Sequence, residues 1–136
     1  MPQLRWNDTD FLDFFAVEPT VEDYGVSHNY EIERDGMRLL FTLWQLESVI
    51  QASLFRGKSD NALFTFAAYV KGEVRFINDV RGRYIDFENC IIAPSRFWYI
   101  QAGNPFDQQR FPISVTIRLE IDPDIRIAFA DYECRT

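Results

Sequence analysis

The chain has 136 residues, 47% of them hydrophobic and 16% aromatic, with a formal net charge of −7. That is the length of one domain, 1–136, with too much apolar and aromatic surface for a disordered chain. The acidic balance and the lack of any block of bases exclude general nucleic-acid binding, because phosphate contacts supply most of that affinity.

The charge is uneven along the chain. Residues 1–27 hold six acids (Asp8, Asp10, Asp13, Glu18, Glu22, Asp23) against one base, Arg5, a net of −5. Such a segment sets up a local negative field that attracts a basic partner. The bases comprise twelve Arg and two Lys, Lys58 and Lys71. Arg suits bidentate pairing with carboxylates and stacking on rings better than Lys does.

Residues 7–17 are expected to form a helix. Asn7 or Asp8 is suited to cap it, acids crowd its first turn, and Phe11, Leu12, Phe14 and Phe15 form an apolar stripe at helical spacing. Pro19 is expected to end it. This helix should cover an edge or one open end of the sheet that follows, over 28–133.

From His28 onward the hydrophobic period becomes two. Tyr30 and Ile32 alternate with Glu31 and Glu33, and Asp35-Gly36 is a strong hairpin signal. The return strand carries Met37, Leu39, Phe41 and Leu43 on one face and Arg38, Leu40, Thr42 and Trp44 on the other. Apolar residues on both faces mark it as central. Residues 47–56 fit another strand, and 57–61 is a turn cluster. Segments 62–70 and 73–78 flank Lys71-Gly72 and read as a hairpin, although Ala67-Ala68 leaves a helix open for the first. Residues 79–83 read as a loop, and 84–92 as a strand ended by Pro94. The clearest strand is 113–121, where Ile113, Val115, Ile117, Leu119 and Ile121 alternate with Ser114, Thr116, Arg118 and Glu120. Asp122-Pro123-Asp124 is a turn, and Ile125, Ile127 and Phe129 return. The fold class is therefore mainly β (α+β): an antiparallel β-sandwich or curled half-barrel of about seven to eight strands with one N-terminal helix.

The chemistry is as informative for what is missing. One histidine, His28, would have to serve any Ser-His-Asp or Cys-His arrangement, and no nucleotide-binding glycine loop is present. No Cys/His spacing suits zinc, so neither a metal nor a cofactor is expected. Cys90 reads as a small core residue and Cys134, near the C-terminus, as a free thiol, with a disulfide between the two left open. Asp86 and Glu88, two apart on one strand, are the right residue types for a glycosidase pair, but a solvated strand face accounts for them. No leader-like opening and no stretch of about 20 apolar residues appear, so a cytoplasmic protein without a membrane span is expected.

Phe97-Trp98-Tyr99 sets three rings in succession between Arg96 and Gln101. Successive strand side chains point to opposite faces, which turns at least one ring outward unless both faces are covered. An outward ring beside Arg is the makeup of a binding hot spot. The expected partner-binding residues are Glu22, Asp23, Arg96, Phe97, Trp98 and Tyr99. The favoured function is thus a non-enzymatic interaction protein with a basic partner, for instance an inhibitor of a basic toxin or nuclease. In size, acidity and Trp and Phe content the chain is similar to small immunity proteins of bacterial toxin systems, a likeness of composition alone. The alternative is a small-molecule binder or enzyme with a pocket near Trp44, Tyr69 and Tyr84, with Arg81 and Arg83 at its wall. Two-faced strands also predict a homo-oligomer, such as a homodimer.

Overall fold

The Asp35-Gly36 dipeptide makes the tight turn that its sequence requires. Both residues take positive φ, 49° and 79°, and join β2 (Ser27–Arg34) to β3 (Met37–Trp44) with Arg34 paired to Met37. Both central positions of this turn need that conformation, which Asp tolerates and Gly adopts freely. The hairpin belongs to a computed structural model that describes residues 8–22, 27–45, 47–93 and 114–130.

Among the described residues the sheet is antiparallel throughout. β1 (Thr20–Glu22) pairs β2, β3 pairs β4 (Val49–Arg56), and β4 pairs β5 (Phe64–Val70). β7 (Gly82–Ala93) pairs β8 (Ser114–Glu120), which pairs β9 (Arg126–Ala130). The segments before and after Lys71-Gly72 are both strands, but they do not form a hairpin. β5 pairs the far half of β7 at Cys90–Ala93, and β6 (Val74–Asp79) pairs the near half at Gly82–Phe87. The two strands therefore lie end to end along one side of the twelve-residue β7.

The junction between them has a physical requirement. The Gly72 N–H donates to Glu88 O at 2.9 Å, and Glu88 N–H donates to Glu73 O at 2.9 Å. A Cβ on Gly72 would stand 2.6 Å from Glu88 O, so only glycine fits without movement. The register of β7 against β8 shifts between Phe87 and Cys90, with Asn89 at φ 55°. This bulge lets Phe87 and Cys90, three residues apart, both face the core.

Among the described residues the sheet curls without closing. β5 and β9 are separated by β7 and β8, about 14 Å in a flat sheet. Yet the Phe66 and Phe129 rings are 5.3 Å apart. Arg34 at the end of β2 likewise reaches Asp122, just beyond β8, at 3.0 Å. Of the two architectures expected, the curled half-barrel is the one present.

Its trough holds the helix. α1 (Asp8–Phe15) is shorter than the 7–17 expected, because Ala16 takes a left-handed conformation (φ 57°) and ends it before Pro19. Phe11 and Phe15 are fully buried. Phe15 lies 4.6 Å from Tyr30 and 5.7 Å from Phe41, and Phe11 meets Phe76 edge-on at 4.9 Å. Each such ring contributes about 1.5–3 kcal/mol by leaving water, plus the aromatic-pair term. The core continues through Ile32, Leu39, Leu43, Ile85, Ile117 and Leu119. No helix among the described residues is long and apolar enough to cross a membrane.

Candidate protein-binding surface

β6 and β7 meet in a hairpin whose tip is Val80-Arg81, since Asp79 pairs with Gly82. The segment expected as a loop is thus a two-residue turn. Its chemistry is local. The Arg81 N–H donates to Asp79 Oδ1 at 2.8 Å, and Gly82 takes φ +129°, which a side chain would resist. The Tyr84 hydroxyl donates to Asp79 Oδ2 at 2.9 Å. The Arg81 amide first, and the Tyr84 hydroxyl second, hold the Asp79 carboxyl below its ordinary 3.8. Burial, and then the same bond to Asp79, push the Tyr84 phenol up from 10.0.

The base of this hairpin is clamped from β8. Arg118 donates through Nε and Nη2 to the two oxygens of Asp86, at 2.7 and 2.9 Å. Its guanidinium lies 3.9 Å from the centre of the Tyr84 ring. The bonds to Asp86 hold Arg118 still more firmly protonated than free arginine. Asp86 is 3% exposed, so the solvated face expected for Asp86 and Glu88 is not what the structure has. Each carboxylate has its own guanidinium instead, Glu88 pairing with Arg75 at 3.3 Å. These pairs explain the carboxylates structurally and leave no shared site between them.

On its other flank the hairpin meets α1. Arg83 Nη2 donates to the Asp13 carbonyl at 3.3 Å, lies 3.7 Å from the Asp13 carboxylate, and sits 5.6 Å over Phe14. α1 has no base of its own in its last turn, and Arg83 supplies the positive charge that a helix C-terminus favours. A shallow groove of about 130 Å³ runs between the two elements, with Asp10, Asp13 and Phe14 on one wall and Phe76, Asn78 and Arg83 on the other. The acids of the helix therefore share one groove with the hairpin at Asn78 and Arg83, the pair next to the Asp79–Gly82 pair that carries the tip.

Of the expected partner-binding residues, Glu22 alone is among the described ones. Glu22 closes β1, its backbone in register with Ser27. Asp23, Arg96, Phe97, Trp98 and Tyr99 lie outside the described residues, as does Cys134. The three aromatics of the alternative pocket do not converge. Trp44 and Tyr69 share an outer-face cluster with Val49 and Ile91, whereas Tyr84 is seven residues from Ile91 along β7, roughly 20 Å. Arg81 and Arg83 go with Tyr84, not with that cluster. Val80 was not singled out from sequence. Its one signal is a β-branched apolar residue inside the turn Asp79-Val80-Arg81-Gly82.

These elements define a class: an open, curled antiparallel β half-barrel whose trough is filled by one short aromatic helix. No family model and no curated protein matches the chain. In fold it is similar to a chain of the contact-dependent growth inhibition toxin–immunity protein complex from Klebsiella pneumoniae 342. The TM-score is 0.66 over 94% of this chain and 96% of that chain, at 20% identity. The likeness runs nearly end to end, and at that identity it is a likeness of fold.

Proposed function

We propose that this chain is an immunity-type protein that binds and blocks a basic toxin. The observation that carries this reading is the near end-to-end fold similarity to a chain of a toxin–immunity complex. Charge argues for the inhibitor side of such a pair. A chain with net −7, and −5 of it in residues 1–27, is suited to capture a basic protein and unsuited to act on nucleic acid itself. The residues named from sequence, the acids Glu22 and Asp23, the base Arg96 and the rings Phe97, Trp98 and Tyr99, form the contact surface in this reading. The acids speed the encounter and the rings hold the complex. The encounter takes place in the cytoplasm, where an intracellular toxin would act.

The test is capture followed by a growth assay. Tagged protein is incubated with lysate of the source organism, eluted with a salt gradient, and the released protein is identified by mass spectrometry. That protein is then expressed in a test bacterium with and without this chain. A basic protein that stops growth alone and is harmless beside this chain is the expected result. Recovery of no partner, or of one that leaves growth unchanged, overturns the reading.

A further inference from the structure

Val80 is 104% exposed, while the next most exposed large apolar side chain among the described residues, Leu63, is at 54%. The exposed rings have local reasons. Phe64 and Phe129 lie 6.3 Å apart and both meet Phe66, where they finish the open end of the core. The turn does not call for Val80 either. Asp79 and Gly82 supply the turn chemistry, and tips ordinarily carry Gly, Pro, Asn, Asp or Ser.

The tip is also held still. Asp79 is bonded to the Arg81 amide and the Tyr84 hydroxyl, Tyr84 lies under Arg118, and Arg118 is forked onto Asp86. A branched apolar side chain is thus presented to solvent on a backbone that is braced before any partner arrives. Preorganisation of this kind lowers the ordering cost of binding, and an isolated apolar anchor entering a socket is how interfaces concentrate affinity.

We propose that the Val80-Arg81 tip is a contact point for a basic protein partner, with Val80 entering an apolar socket and Arg81 meeting acceptors at its rim. Continuity of the surface argues for that occupant. The hairpin is tied through Arg83 to Asp13, and α1 is part of the acidic segment, so a partner drawn to that segment arrives against the tip. The identity of the partner rests on the function proposed above; the contact itself does not.

The experiment separates the two. A photo-crosslinking residue, p-benzoylphenylalanine, replaces Val80 in cells of the source organism, and Lys58, exposed on another turn, serves as the control position. The expected result is one heteromeric adduct from position 80 and none from 58. Purified Val80→Asp should then bind the crosslinked protein at least about 30-fold more weakly, the size of a hot-spot loss, with an unchanged melting temperature. No adduct, equal adducts from both positions, an adduct of two copies of this chain, or full affinity in Val80→Asp overturns the contact. An adduct with a protein that does not stop growth upholds the contact and removes the immunity reading.

Discussion

Arg118 on β8 grips Asp86 on β7 through both of its oxygens, at 2.7 and 2.9 Å, and lies 3.9 Å over the Tyr84 ring two residues earlier on the same strand. Asp86 is nearly out of water, so the pair has a one-sided energetics. Removing Arg118 leaves a buried carboxylate without its partner, which costs about 3 kcal/mol. Arg118→Ala should therefore lower the urea midpoint strongly, and Arg118→Lys should recover only part, because Lys has neither the fork nor the planar stack. The double change Asp86→Leu with Arg118→Met should be close to neutral, since no charge is left buried. Equal loss in the double and the single variants would mean that the pair itself, not an orphaned charge, carries the stability.

The helix offers a second stability test. Phe11 and Phe15 are fully buried in the trough, while Leu12 on the same helix is 42% exposed. Phe11→Ala or Phe15→Ala should cost about 3–5 kcal/mol in chemical unfolding, as ring removal from a packed core does. Leu12→Ala should stay within about 0.5 kcal/mol. A small effect at Phe15 would mean that the helix is not docked on Tyr30 and Phe41.

Gly72 and Gly36 are both glycine for reasons that differ. Gly72 has Glu88 backbone where a Cβ would go, at 2.6 Å; Gly36 has open space but φ +79°. Gly36→Ala should cost about 1–2 kcal/mol, the left-handed penalty alone. Gly72→Ala should cost more, because the β5–β6 connection must move off β7. Thermal unfolding of both variants measures the order, and the reverse order would place the close approach elsewhere.

How much of this could be read from sequence follows the range of the signal. Asp35-Gly36 and the alternation around Ile117 and Leu119 are local patterns, and the hairpin and β8 follow them. Lys71-Gly72 carries an equally good hairpin pattern and misleads, because the glycine there serves a contact with Glu88, sixteen positions on, that no local window contains. α1 is shorter than its pattern for a related reason: Ala16 ends it with a left-handed residue that carries no sequence mark, three positions before Pro19. The burial of Asp86 is not legible because alternation shows which side chains share a face, not that Arg118 reaches across from β8 to cover one. The hairpin tip carries no such mark, since exposure of Val80 depends on tertiary structure, while the rings of Phe97, Trp98 and Tyr99 advertise themselves by type. Those rings lie outside the described residues.

Cys90 gives a prediction in pH. Burial pushes its thiol up to about 12 from 9.0, and its Sγ donates to Phe87 O at 3.2 Å. Because the folded value lies above the unfolded one, the contribution is fully present below about pH 9 and is lost as pH rises through about 12. The urea midpoint of the wild type should fall across that window relative to Cys90→Ala. In a Cys134→Ser background, a thiol reagent at pH 8 should label Cys90 only after unfolding. Rapid labelling of the native protein would show that water reaches this part of the core.

The acidic segment is expected to act on the rate of encounter more than on the lifetime of the complex. Charges at a rim steer association and are screened by salt, whereas packed rings set dissociation. Glu22 and Asp23 belong to the segment of net −5, and no helix-terminus role accounts for them as it does for Asp10 in the first turn of α1. Changing both to Lys should slow association with the basic protein recovered by the wild-type chain about tenfold at low salt. The deficit should shrink toward nothing at high salt, with the dissociation rate little changed. Val80→Asp should do the opposite, raising dissociation at every salt concentration. Stopped-flow association and surface dissociation measurements distinguish the two patterns. An association rate unchanged at low salt would take Glu22 and Asp23 out of the encounter and leave the field of α1 as the steering element.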